Sequence, residues 1–481
     1  MPFFNHAPTR SAVGHRSGTS FLAAALSIII LLTAPEAMAI GQQEEIILGR
    51  KVHSEISSED IIFDDPLVNA YFQKVCQRVL KAAGQQPFPY HFSIIKSPYL
   101  NAFAVPGGYI YLHTGTIESL VNEGQMAAIL AHEIAHITSR HFYRRSEAAR
   151  TASLLNLAGL IAGIALAASG GGGQNTAALG QAMMIGTTGA TIQAMLANSR
   201  TDETEADSKG RNYMLKAGYH PKDMYGAFKI MNEKSYQLSA NIPSYLSTHP
   251  GLSSRLASTF SDQAGVPDSP LDPTYLAIRD RVMALTGSPN RTRDFFARRL
   301  AANPEDHAAL NGLGLVAARE MSFAPAKKNL ARASELAPDS AQYLADLGEL
   351  ALQVRQPQEA ITHFEAALKK DSNHLLAILG LARCYELTGR NNEAATMYDR
   401  ALAAAKLDYP PAKELAGRFF SQNGQTAKGH FLMSEFYELT GNLKDSIFHC
   451  EAAVKDPKGS RYTSVCERRQ RDLKELIDKK I

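Results

Sequence analysis

The amino-acid sequence predicts two structural units: a mostly helical α+β domain with a small sheet, followed by an all-α solenoid of repeats. Two patterns carry this prediction. Between residues 40 and 262, stretches with helical apolar spacing alternate with two short segments rich in β-forming residues. Between residues 303 and 459, small and bulky residues recur every 34 positions. A chain of 481 residues is also too long for one ordinary hydrophobic core.

Residues 1–39 are predicted to be a signal peptide. Arg10 and Arg16 precede an apolar run over residues 21–34, and Ala37 and Ala39 occupy the two positions that a signal peptidase reads. The run is shorter than the roughly 20 residues of a membrane-spanning helix. We therefore expect cleavage after Ala39 and export, with an uncleaved membrane anchor as the alternative.

The first domain, over residues 40–262, begins with two predicted helices and two β-rich segments. Helical spacing covers residues 42–56 and 66–83, and the second of these begins with a proline after two aspartates. Residues 90–95 and 102–112 are rich in β-formers. Pro106-Gly107-Gly108 interrupts the second segment, which predicts a bent or hairpin-like pair of short strands.

The five residues His132-Glu133-Ile134-Ala135-His136 follow in a segment that is rich in helix-forming residues. Positions i and i+4 lie above one another on a helix, so His132 and His136 can bind the same cation. Glu133 is turned about 100° away, where it can hold a water molecule without being a ligand. This motif predicts a zinc hydrolase, in which Glu133 acts as the catalytic base.

An apolar, glycine-rich segment lies between this motif and the next acidic cluster. Residues 154–168 are almost all apolar, residues 170–173 are four glycines, and residues 176–196 are rich in Ala, Gly and Met. The first run is too short for a bilayer span. We expect a helical hairpin packed on the protein's own surface; a lid over the active site and a membrane-touching element are the alternatives.

A catalytic zinc ion usually has three protein ligands, so a third must lie elsewhere. The metzincin pattern is excluded, because Ser139 and Phe142 stand where that class needs Gly and His. A better source is the acidic stretch 202–207, in which Glu203 and Asp207 are again spaced i and i+4. One carboxylate could bind zinc while the other accepts a hydrogen bond from a ligand histidine.

The second unit is predicted from a period of 34 residues, which is that of tetratricopeptide repeats. The positions in register are Gly314/Gly348/Ala382, Ala326/Ala360/Ala394, Leu330/Phe364/Tyr398 and Ala333/Ala367/Ala401. A degenerate further unit runs through Tyr437, Gly441 and Ala453, after an irregular stretch at residues 409–411. Residues 263–302 are predicted to be linker helices and residues 460–481 a charged capping helix.

Export would permit disulfide bonds. Cys450 and Cys466 are close in sequence and form the predicted pair, whereas Cys76 and Cys384 lie among apolar helical residues and are predicted to be buried thiols. The formal net charge of +3 is small for this length, so there is no electrostatic reason to expect nucleic acid as a partner.

The pair of metal-motif and acidic helices resembles the gluzincin-type zinc peptidases, the class that includes the CAAX prenyl protease. This resemblance implies one Zn²⁺ per subunit, with His132, His136 and Glu203 as ligands and Glu205 as a competing choice for the third. It also implies that Glu133 takes a proton from the attacking water. Asp207 would orient the metal site.

Two further segments are similar to this class. Asn101, Ala102, Phe103 and Ala104 resemble the start of its active-site edge strand, which implies that substrate binds there as an additional β-strand. Thr248-His249-Pro250-Gly251 with Arg255 resembles the H-P-x-x-x-x-R segment of its soluble members. The resemblance implies that His249 is a fourth, inhibitory zinc ligand. For Arg255, a structural ion pair is the preferred interpretation.

With the signal peptide and the repeats, residues 40–460 resemble periplasmic members of this class. That likeness implies a zinc endopeptidase that degrades misassembled outer-membrane or exported proteins and assists their assembly. It also implies unfolded clients and the outer-membrane β-barrel assembly machinery as partners, with a peripheral membrane contact. The alternative is a latent or non-enzymatic chaperone or scaffold that works through its repeats.

Several other charged and polar residues are expected to have no role in catalysis. We predict that four histidines are structural or exposed: His91, His113, His141 and His220. The basic cluster of Arg140, Arg144 and Arg145 is predicted to be a solvated face.

Overall fold

The computed structural model describes residues 41–59, 61–86, 89–149, 199–235, 248–260, 269–404, 409–457 and 460–478. The predicted signal peptide and the predicted hairpin over residues 154–196 lie outside these ranges. Within them, no helix combines the length and the apolar character needed to cross a membrane.

The first half, residues 42–260, contains eight of the described helices and all three strands of its sheet. In chain order these are α1 (Gln42–Ser58), α2 (Pro66–Ala83), β1 (His91–Ile95), β2 (Ala102–Val105), β3 (Tyr109–His113), α3 (Thr114–Ser119), α4 (Glu123–Thr138), α5 (His141–Ala149), α6 (Arg200–Lys216), α7 (Lys222–Ser235) and α8 (Leu252–Phe260). The fold class is as predicted, since helices dominate around a single small sheet.

The sheet has the strand order β1-β3-β2, with β1 parallel and β2 antiparallel to β3. A single 3₁₀ turn, Pro106–Gly108, joins β2 to β3 and confirms the predicted hairpin-like pair. Gly107 has a φ of 77°, and a Cβ atom there would lie 2.8 Å from the carbonyl oxygen of Glu45. Both facts require glycine at this turn.

Helix α4, which carries the metal motif, is buried along nearly its whole length. Asn122 caps it by accepting a hydrogen bond from the backbone N–H of Gln125 at 2.8 Å. One face of the sheet, with Ile110 and Leu112, belongs to the same core as α4, α2 and α6. Gly210 of α6 lies close enough to α4 that a Cβ atom would come 3.2 Å from the Ala131 backbone. This close packing sets the two functional helices side by side.

The second half is entirely helical in the described residues. Its helices are α9 (Pro273–Thr286), α10 (Pro289–Ala302), α11 (His307–Arg319), α12 (Phe323–Leu336), α13 (Ala341–Gln353), α14 (Pro357–Lys370), α15 (Leu375–Leu387), α16 (Asn391–Ala404), α17 (Pro410–Gln422), α18 (Thr426–Leu439), α19 (Leu443–Lys455) and α20 (Thr463–Asp478). Helices α9 and α10 occupy the predicted linker, and α20 the predicted cap.

The 34-residue period has a direct steric cause. A Cβ atom on Gly348 of α13 would lie 2.6 Å from the Phe364 ring of α14, and one on Gly314 of α11 would lie 2.6 Å from Leu330 of α12. Small residues therefore recur where paired helices cross over a bulky side chain. The structure differs from the sequence-based expectation at residues 409–411, because Pro410 begins α17 instead of an irregular link.

The second half contacts the first half at two places. Arg281 of α9 binds both carboxylate oxygens of Asp65, the N-cap of α2, and donates to Asp346 of α13 at 2.7 Å. All three side chains are buried. On α1, Ile47 packs against Leu473 of α20. The two halves are thus held by polar and apolar contacts at separate places.

The four cysteines are all buried free thiols in the structure. This agrees with the prediction for Cys76 and Cys384. Cys450 and Cys466 share one small apolar cluster, in which Cys450 Sγ donates to Ser434 Oγ at 3.4 Å. The predicted disulfide between Cys450 and Cys466 is therefore not formed here, although the fold brings the two residues together.

Candidate metal centre

Four side chains bring potential ligand atoms together in one buried cluster: His132, His136, Glu203 and His249. His132 Nε2 lies 3.0 Å from His136 Nε2 and 3.4 Å from Glu203 Oε2. His136 Nε2 lies 3.4 Å from Glu203 Oε1. The i, i+4 spacing on α4 and the packing of α6 against it therefore place the three predicted ligands around one point.

The two histidine–carboxylate distances of 3.4 Å fit the edges of a tetrahedral cation site, and the His132–His136 distance of 3.0 Å is slightly shorter. Zinc lies about 2.0–2.2 Å from nitrogen and oxygen ligands, and corners of a regular tetrahedron of that size are about 3.3–3.6 Å apart. Two imidazoles and one carboxylate are also a donor set that catalytic zinc sites use. A divalent metal could be held here by His132, His136 and Glu203.

Asp207 and Arg255 surround the ligands. Asp207 Oδ1 lies 2.9 Å from His132 Nδ1, the ring nitrogen that faces away from the ligand cluster. Arg255 of α8 donates from Nε and Nη2 to Asp207, each at 2.7 Å, and from Nη1 to Glu203. The preferred interpretation of Arg255 as an ion-pair partner agrees with this geometry. Its partners, however, are residues of the site itself.

The charges in the cluster favour a cation. Burial acts to raise the pKa of Glu203, but His249 and His132 outweigh it and hold that pKa well below its usual range. Burial also opposes ionisation of Asp207, but hydrogen bonds from His132 and Arg255 lower its pKa. Burial acts to lower the pKa of His132, but Asp207 and Glu203 outweigh it and raise that pKa to about 9. A protonated His132 and Arg255 thus balance the two carboxylates, and a divalent metal bound to His132 would take the place of that proton.

Glu133 is buried beside the ligands and has a different environment. Burial raises its pKa, as expected of a carboxyl group that works as a base near neutral pH. Its Oε1 lies 3.4 Å from His249 Nε2. Glu133 is 1% exposed, so in this conformation it has no path to bulk water.

His249 lies between the predicted ligands and Glu133. Its Nδ1 is 3.1 Å from Glu203 Oε1 and 3.3 Å from His132 Nε2, while its Nε2 faces Glu133. The side chain is buried, with the residue 2% exposed. His249 thus lies beside Glu133 as a fourth potential ligand atom in the cluster.

The predicted substrate-binding residues lie at and before β2, an edge strand of the three-stranded sheet. Asn101 precedes the strand and is buried, and its Oδ1 accepts a hydrogen bond from the Ala102 N–H at 3.0 Å. Phe103 stacks on Tyr111 of β3 at 5.0 Å between ring centroids. Strand β2 also packs against α4, so this edge runs along the helix that carries the motif.

His141 is the site residue that sequence reasoning missed. The expectation was a structural or exposed histidine, but its Nδ1 lies 2.7 Å from His136 Nδ1. Its signal in the sequence is only a spacing of five residues from His136, and the contact depends on the turn between α4 and α5. Of the other three, His113 is buried, His91 is half-buried and His220 is exposed, as expected.

The basic cluster is more than a solvated face. Arg144 donates to Glu205 Oε2 at 2.7 Å and lies 3.3 Å from Asp202 Oδ1. Arg140 pairs with the buried Glu45 of α1 at 3.3 Å. The Arg144 pairs connect α5 to α6, and the Arg140 pair connects the turn after the metal-motif helix to α1.

Comparison with known proteins gives matches in both halves. Residues 66–260 match the profile of Peptidase family M48, and residues 351–419 match a tetratricopeptide repeat. The beta-barrel assembly-enhancing protease of Escherichia coli K12 is 28% identical over 454 residues, which cover 93% of this chain and 91% of that protein. Its counterpart in Yersinia pestis is 24% identical over 409 residues, 84% of this chain and 82% of that protein.

A further relative matches a shorter part of the chain. The mitochondrial metalloendopeptidase OMA1 of Bos taurus is 31% identical over 166 residues, which cover 34% of this chain and 30% of that protein. Both kinds of relative carry protease or endopeptidase in their names, in agreement with the predicted enzyme class.

Proposed function

Because the chain carries a Peptidase family M48 domain joined to tetratricopeptide repeats, we propose that it is a zinc-dependent endopeptidase of the periplasm. One observation carries this proposal: the ligand atoms of His132, His136 and Glu203 meet at tetrahedral spacing with Glu133 beside them. The long match to beta-barrel assembly-enhancing proteases supports the periplasmic location.

The side chains divide the chemistry between them. A zinc ion in the site would supply the positive charge that acidifies a water molecule and stabilises negative charge on the substrate carbonyl oxygen. Glu133 takes the proton of the attacking water and passes it to the leaving amine. Asp207 accepts the hydrogen bond of His132 Nδ1 and so keeps Nε2 of that ring free to bind metal.

Substrate would bind along β2. An edge strand offers unpaired backbone groups to an extended peptide, and β2 packs on the helix that carries Glu133. Asn101, through its bond to the Ala102 N–H, would fix where this strand begins. Recognition through backbone groups suits unfolded segments of many sequences.

The clients would be misassembled outer-membrane or exported proteins, which the enzyme degrades or helps to assemble. The repeats would bind these clients or the outer-membrane β-barrel assembly machinery. The relatives named for beta-barrel assembly support this assignment. A cavity of about 680 Å³ between the two halves gives the repeats and the peptidase-like half a shared surface.

The position of His249 supports a latent resting state. Because His249 fills the space beside Glu133, water and substrate could react only after residues 248–251 move. The burial of Glu133 and His249 also favours a second candidate function, that of a repeat-based scaffold whose metal site never opens. Activity measurements separate the two.

The direct test is Glu133→Gln in the purified full-length protein. The amide has the same shape but cannot take a proton, so we expect unchanged zinc content and a loss of cleavage of an unfolded β-rich protein by 10²-fold or more. Glu233→Gln, which changes an exposed carboxylate on α7, is the matched control. Because a latent wild type would show little cleavage, the comparison is repeated in the His249→Ala background, and equal, measurable cleavage with and without Glu133→Gln there would refute the enzyme assignment.

A further inference from the structure

We propose that His141 is a positioning residue that holds the metal ligand His136 in its binding tautomer and orientation. The rings of His136 and His141 are both buried, with centroids 4.8 Å apart and planes at 75°. Their Nδ1 atoms are separated by 2.7 Å. This inference rests on the metal site of the proposed function, but it concerns a residue outside the ligand set.

The direction of the hydrogen bond follows from the chemistry of imidazole. His136 turns Nε2 toward His132 and Glu203. A neutral imidazole that binds a metal through Nε2 carries its proton on Nδ1. That N–H must therefore donate to His141 Nδ1, which accepts. The remaining proton of His141 lies on Nε2, which is 3.3 Å from Glu205 Oε2.

The two carboxylates next to His141 are held in place by positively charged side chains. Glu205 accepts from Arg144 at 2.7 Å and pairs with Lys209 at 2.8 Å. Asp202, 3.7 Å from His141 Nε2, pairs with Arg144 and with Arg145. Because both carboxylates already have positive partners, they are poor candidates for a second cation site with His141. They are well suited to fix the orientation of its ring.

The backbone turn that delivers His141 is itself strained. Arg140 has a φ of 51°, in the left-handed region that a side chain of this size rarely adopts. The turn follows the end of α4, and the first residue of α5, His141, lies against His136. Such a conformation persists when the surrounding contacts require it.

The two ligand histidines are therefore supported differently. His132 Nδ1 bonds directly to the carboxylate of Asp207 at 2.9 Å, whereas His136 reaches the carboxylate of Glu205 through the ring of His141. Partners of this kind fix the tautomer of a ligand, and their loss typically costs about 10–100-fold in metal affinity.

Three substitutions test the proposal in the full chain. His141→Ala removes the acceptor, and His141→Leu removes it but keeps buried apolar volume. His141→Asn keeps an acceptor oxygen near the position of Nδ1. We expect zinc affinity, measured by competition with a chromophoric chelator, to fall about 10–100-fold in the Ala and Leu variants. The Asn variant should stay within about threefold of wild type.

The control is His363→Gln on the remote helix α14, which should leave zinc affinity unchanged. Cobalt-substituted protein gives a second readout, because its visible spectrum should change in the Leu variant and not in the Asn variant. A merely structural role predicts the opposite order, with Leu at least as good as Asn, and that order would overturn the proposal. Wild-type protein that binds no zinc would instead refute the metal site of the proposed function.

Discussion

Glu203 and Glu205 lie two positions apart on α6 yet have different partners. Side chains two positions apart on a helix point in directions that differ by about 200°, so these two cannot face the same point. Glu203 faces His132, His136 and His249 and is buried. Glu205 faces Lys209, Arg144 and His141 at the margin. The helix therefore separates the candidate metal ligand from a supporting carboxylate, a choice that spacing in the sequence leaves open.

The different positions of Glu203 and Glu205 predict different zinc contents when each is replaced by glutamine. Glu203→Gln removes the charged ligand, so we expect the purified protein to lose most of its zinc, as measured by atomic emission. Glu205→Gln leaves the three ligands in place and should keep close to one zinc per chain. If Glu205→Gln loses its zinc and Glu203→Gln retains it, the assignment of the third ligand is wrong.

At the scale of elements, the short segment over residues 248–251 places His249 in the ligand cluster, and we propose that it controls access to the site. This segment leads into α8, whose Arg255 is fixed to α6 by Glu203 and Asp207. His249 adds contacts to Glu203 and Glu133. Opening therefore costs the contacts of His249, but it does not require α8 to leave its ion pairs.

His249→Ala should raise the rate at which an unfolded β-rich protein is cleaved, because it removes the side chain that fills the space beside Glu133. We expect at least a severalfold increase in initial rate with unchanged zinc content. His220→Ala, at an exposed position, is the control. A rate equal to or below that of wild type would show that His249 does not inhibit.

A second contact between elements, which joins α1 to the end of α18, depends on pH. His53 accepts a hydrogen bond from Tyr111 Oη at 2.8 Å and donates to the carbonyl oxygen of Leu439 at 2.7 Å. Burial lowers the pKa of His53 to about 4, although the bond to Leu439 acts in the opposite direction. The unfolded chain, with a pKa near 6.5, binds the proton more readily.

The contribution of neutral His53 to stability is therefore complete above pH 6.5 and is lost as pH falls toward 4. A shift of this size corresponds to about 3 kcal/mol. His53→Gln should flatten the rise in free energy of unfolding between pH 4 and 6.5 by up to that amount. Urea unfolding of the metal-free protein at several pH values measures the difference. Parallel pH profiles for variant and wild type would contradict the account.

At the scale of the whole molecule, the buried group of Arg281, Asp65 and Asp346 fixes the two halves to each other. Asp65 accepts from Arg281 while also capping α2 through the N–H groups of Leu67 and Val68. Asp346 further accepts from Asn311 of α11 at 3.0 Å. One charge cluster thus joins the first domain, the linker helices and the repeats.

Asp346→Ala should destabilise the protein by about 3 kcal/mol, because it leaves part of the buried Arg281 guanidinium without its partner. The measurement is urea unfolding, followed both by helical signal and by the rate of proteolysis between the two halves. Asp339→Ala, which breaks an exposed pair with Lys370 on the repeat surface, is the control and should change little. Similar effects of the two changes would contradict the role given to the buried cluster.

Local patterns were enough to predict much of this molecule. The i, i+4 pairs on α4 and α6 specify which side chains share a face, and the 34-residue period specifies the repeats. Patterns of this kind carry no information about contacts between distant segments. The support of His136 by His141 depends on a strained turn at Arg140. The link from Arg281 to Asp65 and Asp346 depends on how the two halves pack against each other.

We infer that the buried ligand cluster makes this chain a metal-dependent peptidase. The most direct measurement is cleavage of an unfolded β-rich protein by the His249→Ala variant before chelation, after chelation, and after zinc is restored. We predict that cleavage is lost with the metal and returns with zinc but not with magnesium. The double variant with Glu133→Gln should stay inactive throughout. Cleavage that persists in the metal-free protein would contradict the claim.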